Sequence, residues 1–230
     1  MKRFWKEAAS KPGEGGWGVE LDGRALRTPA RAPLVVPTAA LAEAIADEWR
    51  SVEGEIEPRW MPFTGIANAA IDRVGPERQE FAQGLARYAE ADLACYRADG
   101  PRDLIELQED SWDALLAWAR RRYDVDFVIT SGLLHVDQPA ATVERLSHAV
   151  LALDPFRLAG LSPLVTIGTS LIAALSVLEG AMSPEEAWNA VSIDERWQIQ
   201  RWGADAEAET TIESRRRDFL AAARFVELLD

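Results

Sequence analysis

The sequence has little cysteine, little histidine and none of the common phosphate-binding or hydrolase motifs. Its 230 residues include one cysteine, Cys95, and two histidines. A single cysteine excludes an intrachain disulfide and is typical of a reducing compartment. Without a Cys-x-x-Cys or His-Glu-x-x-His spacing, no zinc site is expected. No Gly-Lys-Ser/Thr loop and no Gly-x-Ser-x-Gly turn occurs, so neither a P-loop nucleotidase nor a serine hydrolase of that type is expected.

Basic residues are also in the minority. Lysine and arginine total 25 against 38 aspartates and glutamates, which gives a net charge of −13. A chain this acidic is a poor ligand for nucleic acid or for an anionic membrane surface. Hydrophobic residues make up 48% and charged residues 27%, which is typical of a folded globular protein. We therefore expect no nucleic-acid partner.

One long apolar run stands out, over residues 158–178. It carries no charge and has the length of a membrane span. Its apolar content is diluted by Gly160, Pro163, Gly168 and several hydroxyl side chains. We interpret the run as one central buried helix whose small residues permit close packing, and we expect no membrane insertion. Residues 1–10 contain no apolar run of signal-peptide length.

The first 37 residues carry strand and turn patterns. Alternating apolar residues over 17–21 predict a half-buried strand, and Asp22-Gly23 predicts a hairpin turn. A return strand is expected over 24–28 and a short edge strand over 34–36. The expected front of the molecule is thus a set of antiparallel β-hairpins.

Residues 13–18 read Gly-Glu-Gly-Gly-Trp-Gly and match the pattern G-x-G-x-x-G of dinucleotide-binding proteins. No strand is predicted before this segment, and a strand rather than a helix is predicted after it. No helix N-terminus would then face a pyrophosphate. We interpret the segment as a flexible turn before a strand.

Helical periodicity dominates from Thr38 onward, with Thr38 expected to cap a helix through Trp49. One short strand is predicted over 124–130, and capping boxes are predicted at Ser183 and at Ser192. The predicted fold class is therefore α+β. A small N-terminal α+β domain is expected over residues 1–75, followed by a larger all-α helical domain over 76–230. A boundary as late as residue 100 is the alternative.

Nine tryptophans are present, and three of them are hard to bury together. Trp197 and Trp202 lie five positions apart and would diverge by about 140° around a helix. Either one of the group Trp188, Trp197 and Trp202 faces a partner, or all three are packed. The acidic residues that begin the last helix are interpreted as a solvated helix start, with partner contact as the alternative.

Several segments, taken in order, resemble the assembly-chaperone family that acts on the alpha subunit of the F1 part of ATP synthase. The most specific are VELDGRALRTP (19–29), MPFTGIANAAID (61–72) and DERWQIQRWGADAEA (194–208). Weaker support comes from LAEAIADEW (41–49), from Leu107-Gln108 with Trp112-Asp113, and from Glu185-Glu186-Ala187-Trp188. The resemblance extends from about residue 4 to about residue 208.

The resemblance implies an ATP-independent chaperone with two domains, no catalysis and no cofactor. It implies that the chain holds the free alpha subunit of F1-ATP synthase in soluble form until the beta subunit displaces it. Eukaryotic members work in the mitochondrial matrix. Because no transit peptide is seen here, we expect a bacterial member that acts in the cytoplasm. We also expect it to be monomeric when free.

By the same resemblance, eight residues are candidates for partner binding: Asn68, Asp72, Glu195, Gln198, Trp202, Gly203, Asp205 and Glu207. Structural roles remain open for four of them. Asn68 is also explained as a buried amide that satisfies backbone groups, and Asp72 as part of a solvated turn. Glu195 is also explained as the acid of the Ser192 capping box, and Gly203 as a left-handed helix cap.

An enzyme is the alternative to a chaperone. It would be a small hydrolase or isomerase that uses paired carboxylates at the domain junction. That hypothesis requires Asp72, Glu195 or Asp205 in a deep concave pocket. The chaperone hypothesis instead expects these carboxylates on an open surface beside exposed aromatic residues.

Overall fold

The computed structural model describes residues 2–132, 134–203 and 206–230. Contacts between Cα atoms divide the chain into two compact units. The N-terminal unit contains Met1–Arg78, Asp154–Gly160 and Arg224–Asp230, and the helical unit contains Gln79–Leu153 and Leu161–Ala223. The last residues of the chain therefore return to the unit that its first residues build.

A small antiparallel sheet forms the front of the N-terminal unit. Its strands are β1 (Ala8–Gly13), β2 (Gly16–Leu21), β3 (Arg24–Ala25) and β4 (Val35–Val36). Strand β2 is central, because β1 pairs along one side of it and β3 and β4 pair with it as well. The predicted Asp22-Gly23 turn is confirmed. The return strand is shorter than predicted, since regular pairing ends at Ala25.

The glycine-rich segment is the turn of the β1–β2 hairpin. The expectation that no strand precedes it is wrong, because β1 does. Only Ala8 of β1 is buried, so this strand shows no alternating apolar pattern. Gly16 has φ +153°, and a Cβ there would lie 2.4 Å from the carbonyl oxygen of Val36. Glycine is required here for backbone approach, and no helix follows to bind a phosphate.

The core of the N-terminal unit lies between the sheet and helix α1 (Ala39–Arg50). Val19 of β2 and Leu41 and Ile45 of α1 are almost fully buried. As predicted, Thr38 caps α1, because its hydroxyl accepts the N–H of Leu41 at 3.2 Å. A short helix, α2 (Pro62–Ala69), follows and continues into a π-helical turn over Ala70–Val74.

The other described helices follow in chain order. They are α3 (Arg78–Ala86), α4 (Arg102–Tyr123), α5 (Ala140–Leu151), α6 (Pro155–Gly168), α7 (Leu171–Leu178), α8 (Pro184–Val191), α9 (Ile193–Trp202) and α10 (Ala206–Glu227). A minimal parallel pair joins β5 (Tyr96–Arg97) to β6 (Thr130–Ser131). A small strand region followed by helices confirms the predicted α+β class.

The strand predicted over 124–130 is wrong. Regular pairing involves only Thr130 and Ser131. At Val128 the side chain of Gln138 replaces a neighbouring strand. Its amide accepts the Val128 N–H at 3.0 Å and donates to the Val128 carbonyl at 2.9 Å. Extended backbone is thus satisfied locally, which an alternation pattern does not reveal.

The long apolar run is two helices, not the single helix that was expected. It breaks after α6 at Thr169, which has φ +51°, and Ser170 then caps α7. The small residues do permit close packing, since a Cβ at Gly168 would lie 3.2 Å from Cγ1 of Val191. In the part of the chain that the structure describes, no helix is long and apolar enough to cross a membrane.

Candidate functional site

Helices α9 and α10 enclose an open groove of about 490 Å³, which we call the Trp202 groove. Five of the eight candidate residues line it: Glu195, Gln198, Trp202, Gly203 and Glu207. Asp205 lies outside the described residues, and Asn68 and Asp72 belong to the N-terminal unit. The remaining lining comes from Ile199, Ala208, Thr211, Ile212 and Arg215.

Trp202 is the most exposed aromatic side chain of the helical unit. Its exposed fraction is 71%, whereas Trp188 and Trp197 are buried. The ring of Trp202 meets that of Trp197 edge to face, with centroids 5.2 Å apart. Trp197 is itself fixed, because its Nε1 donates to Oδ2 of Asp103 at 3.2 Å. The alternative that all three tryptophans are packed is therefore wrong, and partner contact by Trp202 stays a prediction.

Gly203 ends helix α9, as expected of a cap. Its N–H donates to the carbonyl of Ile199 at 2.9 Å. Its φ of +82° is positive, but its ψ of 159° is not that of the left-handed helix that was predicted. The chain therefore leaves α9 in an extended direction that only glycine adopts readily, directly beside Trp202.

The predicted capping role of Glu195 is wrong. The hydroxyl of Ser192 donates backward to the carbonyl of Trp188 at 2.7 Å and does not cap α9. Glu195 instead accepts a hydrogen bond at Oε1 from Arg215 of α10. Its other oxygen, Oε2, is buried and has no hydrogen-bond partner among the described residues. The box predicted at Ser183, by contrast, is confirmed.

The other two candidates, Asn68 and Asp72, lie in the N-terminal unit, where segment 61–72 meets the end of segment 19–29. Asp72 accepts the N–H of Ala30 at 3.0 Å, so the loop after segment 19–29 is attached to segment 61–72. Asp72 is therefore more than part of a solvated turn. Asn68 lines a second groove, of about 450 Å³, beside Thr28 and Pro29. We call it the Asn68 groove.

Both candidates leave an acceptor unused. Within the described ranges, Oδ1 of Asn68 and Oδ1 of Asp72 are buried and have no hydrogen-bond partner. The expectation that the Asn68 amide satisfies backbone groups is therefore wrong for its oxygen. A buried acceptor without a donor costs folding free energy, about 1–3 kcal/mol in typical cases. Buried polar atoms without a partner are rare in folded proteins, so these two call for an explanation.

A glutamate that the sequence patterns did not indicate accepts hydrogen bonds from the start of α2, the helix that carries Asn68. Glu48 of α1 accepts the N–H groups of Phe63 at 2.6 Å and Thr64 at 2.8 Å, at the start of α2. Burial raises the pKa of Glu48, although its hydrogen bonds to Thr64 and Phe63 oppose that rise. The only sequence signal was its place in the segment 41–49. A residue that caps the N-terminus of a different helix has no fixed sequence spacing from that helix, so no local motif predicts it.

Several residues of the resemblance prove to be structural. Gln108 is buried, accepts the Ala98 N–H at 2.8 Å, and donates to Asp194 at 2.7 Å. The buried guanidinium of Arg97 donates to Asp113 at 2.6 Å. Trp112 donates to the carbonyl of Ala190 at 2.8 Å. These bonds attach α4 to β5, to the end of α8 and to the start of α9, which is one of the two helices that line the Trp202 groove.

The surroundings of Glu195 distinguish an open surface from a deep pocket. Its carboxylate lies in an open groove, is paired with Arg215, and has an exposed tryptophan beside it. Over residues 2–132, 134–203 and 206–230, no group of three or more histidine, cysteine, aspartate or glutamate side chains is placed to hold a metal ion. This geometry favours the chaperone hypothesis over the enzyme.

Comparison with known proteins identifies the family. The family model described as ATP12 chaperone protein matches residues 2–120. The mitochondrial protein atp12 of Schizosaccharomyces pombe is 26% identical over an alignment of 216 residues, and the match covers 89% of this chain and 74% of that protein.

Two solved structures cover the whole chain. The crystal structure of Atp12 from Paracoccus denitrificans is 41% identical, with a TM-score of 0.94 over 98% of its length. A chaperone candidate from Agrobacterium tumefaciens is 36% identical, with a TM-score of 0.95 over 86% of its length. The resemblance found in the sequence is thus confirmed, and the chain belongs to the ATP12 chaperone family.

Proposed function

We propose that this ATP12-family chaperone acts in the assembly of ATP synthase by binding the free alpha subunit of the F1 part. It covers the surface that alpha later presents to beta, keeps alpha soluble, and gives way when beta binds. It acts in the bacterial cytoplasm and is monomeric when free. The choice of alpha as client rests on the resemblance of the segments 19–29, 61–72 and 194–208.

The Trp202 groove carries this proposal. Tryptophan is enriched among the residues that contribute most to protein interfaces, and Trp202 is 71% exposed. Carboxylates of Glu195 and Glu207 line the same groove. An apolar anchor surrounded by charge suits a partner whose exposed subunit interface would otherwise aggregate. The net charge of −13 keeps the chaperone soluble and favours basic regions on the client.

Release requires no energy source in this proposal. If alpha binds beta more tightly than it binds the chaperone, alpha leaves the chaperone by mass action once beta is present. The chaperone therefore needs enough affinity to prevent aggregation, but less than the affinity between the two subunits. An open groove with one exposed anchor is consistent with such intermediate affinity.

The Asn68 groove is proposed as a second contact. The unused oxygens of Asn68 and Asp72 are buried acceptors. A backbone or side-chain N–H group of the client could satisfy one of them on binding, which would recover part of the free energy lost on folding.

Co-expression tests the client. The tagged chaperone is produced with alpha alone or with beta alone, and the soluble fraction is captured on the tag. We expect alpha to be captured and to become soluble, and beta to be neither. Capture of beta, or of neither subunit by a folded chaperone, would overturn the proposal.

A matched pair of tryptophan variants tests the groove. Trp202→Ala removes the proposed anchor, whereas Trp60→Ala removes another tryptophan that is 55% exposed but lies in the N-terminal unit. We expect capture of alpha to fall at least about tenfold for Trp202→Ala, as for an interface hot spot, and to change little for Trp60→Ala. Equal losses would remove the Trp202 groove as the main contact.

A further inference from the structure

A larger groove lies beside the Trp202 groove and shares Ile199 and Ile212 with it. Its volume is about 880 Å³, and its walls come from α4, α8, α9 and α10. We call it the Leu107 groove, after the α4 residue at its edge. None of the eight candidate residues lines it, so the resemblance assigns it no role.

The inner surface of the Leu107 groove is apolar. Leu107 is 47% exposed, and Ile193, Ile199 and Ile212 are partly exposed within the same cavity. Every lining residue lies on one of the helices α4, α8, α9 or α10. No strand edge is available there to pair with an extended peptide. A groove between helix ridges is suited to the side chains of another helix.

The rim of the Leu107 groove is acidic. Asp110 of α4 and Glu209 and Glu213 of α10 lie around the apolar surface, and Arg196 is the cation among the lining residues. Arg196 donates to the side-chain oxygen of Asn189 at 2.7 Å.

The acidic rim is largely free of compensating charge. Asp110 and Glu209 form no ion pair within the described part of the chain, whereas Glu213 lies 3.4 Å from Arg216. Along α4, Asp103, Glu106 and Asp110 lie on the same side as Leu107 in an adjoining cavity. Cations partly offset that second group, because Arg102 pairs with Glu106 and Arg201 also lines the cavity. At the rim of the Leu107 groove, the carboxylates without an ion pair among the described residues are therefore those of Asp110 and Glu209. A ligand with positive charge beside an apolar face complements both properties.

We propose that the Leu107 groove binds an amphipathic helix that carries lysine or arginine on either side of its apolar face. This inference deepens the proposed function, on which it rests, because it states the chemistry of the client segment. Leu107, Ile199 and Ile212 contact the apolar face of that helix, and Asp110 and Glu209 pair with its cations. The Trp202 groove then binds a neighbouring part of the same client.

Synthetic peptides test the chemistry without the client. The probes are two fluorescein-labelled helical peptides of about 18 residues, long enough to form a helix on binding. They have identical leucine positions, with lysine flanking the leucines in one and glutamate in the other. Fluorescence anisotropy with the full chain is expected to show at least about tenfold tighter binding of the lysine peptide, weakening as salt is added.

Charge must be tested by position, because the whole chain is acidic. The double variant Asp110→Lys, Glu209→Lys reverses two exposed rim carboxylates. The control Glu80→Lys, Glu144→Lys makes the same net change at exposed positions on α3 and α5. We expect the rim variant to bind the lysine peptide at least about tenfold more weakly than the control. Equal weakening in both variants would mean general attraction and would overturn the proposal.

The apolar surface has its own variant. Leu107→Ser removes an exposed leucine at little risk to folding and is expected to weaken both peptides equally, since both present the same leucines. Unchanged binding of both peptides would overturn the assignment of Leu107.

Capture of alpha separates this inference from the proposed function. If wild type captures alpha and the rim variant captures it equally well, the inference fails and the proposed function stands. If the lysine peptide binds at the rim but wild type captures no alpha, the proposed client is wrong and the ligand chemistry of the groove stands. We expect the rim variant to capture no alpha. We also expect the lysine peptide to compete with alpha for binding to the wild-type chaperone.

Discussion

Glu195 of α9 and Arg215 of α10 form an ion pair that joins the two helices around the Trp202 groove. The same guanidinium donates to the carbonyl of Ile167, at the end of α6, at 2.9 Å. Both partners are partly exposed, with side-chain exposures of 41% for Glu195 and 36% for Arg215. Pairs this exposed typically contribute about 0–1 kcal/mol to stability. Its main consequence is therefore the position of α10 against α9.

Reversing the charge of Glu195 tests whether this residue is needed for capture of alpha. Glu195→Lys places two cations together, and we expect it to abolish capture of alpha while lowering the free energy of unfolding by only about 1 kcal/mol. Capture is measured by co-expression with tagged chaperone, and stability by urea denaturation. Normal capture by a folded Glu195→Lys protein would contradict the proposed role.

A charge swap decides between the two roles of Glu195. The double variant Glu195→Lys, Arg215→Glu restores an ion pair with reversed polarity. If Glu195 acts by positioning α10, capture of alpha should recover in the swap. If its carboxylate contacts the client directly, capture should stay lost although the helices are joined again.

A buried carboxylate makes stability depend on pH. Asp92 is fully buried, where it accepts the hydroxyl of Ser170 at 2.8 Å and the N–H groups of Ile172 at 2.9 Å and Ala94 at 3.0 Å. Burial raises the pKa of Asp92 from 3.8 to about 6, against the opposing effect of these hydrogen bonds. The folded protein therefore holds this proton to higher pH than the unfolded chain does.

The sign of the effect follows from that difference. Between about pH 4 and pH 6 the folded state binds more protons, so the contribution of Asp92 to stability falls as the pH rises. Its full size is roughly 3 kcal/mol. Asp92→Asn should flatten this part of the stability profile, measured by urea denaturation at each pH. Glu77→Gln, at an exposed carboxylate between the π-helical turn and α3, is the control and should leave the profile unchanged.

Gln108 provides a test that separates folding from binding. Gln108→Leu fills the same place in the core with an apolar side chain. The Ala98 N–H and the Asp194 carboxylate then lose their hydrogen-bond partner. We expect a loss of about 2–4 kcal/mol in the free energy of unfolding. Below the onset of unfolding, capture of alpha should fall less than for Trp202→Ala. A larger loss of capture in the folded Gln108→Leu protein would assign Gln108 a role beyond packing.

Local patterns in the sequence predicted the elements whose hydrogen bonds are local. The Asp22-Gly23 turn, the Thr38 cap and the Ser183 box each depend on residues within a few positions, and all three form. The Ser192 box failed although its spacing was correct. The serine hydroxyl has an equally near acceptor in the carbonyl of Trp188, and the sequence does not show which partner it takes.

Hydrogen bonds between residues far apart in the chain could not be predicted, because they leave no local pattern in the sequence. The Asp92 carboxylate binds the start of α7, nearly eighty positions away, and no periodicity marks such a contact. The break at Thr169 follows from that contact and from the Ser170 cap, not from the apolar pattern, which runs through both helices. Five candidate residues of the site were found together only because the family resemblance kept them in one segment. The Leu107 groove is built from four separate helices, and no local pattern in the sequence indicated it.

Gly16 offers the sharpest test of the hairpin interpretation of residues 13–18. A Cβ there would clash with the Val36 carbonyl at 2.4 Å, and the positive φ adds backbone strain. Gly13 is the last residue of β1, and a Cβ there would meet no atom within 4 Å, so Gly13→Ala is the matched control. We expect Gly16→Ala to lose at least about 2 kcal/mol by urea denaturation, and Gly13→Ala to change little. Equal stability of the two variants would show that β4 moves aside, and that close approach to Val36 is not why glycine stands at position 16.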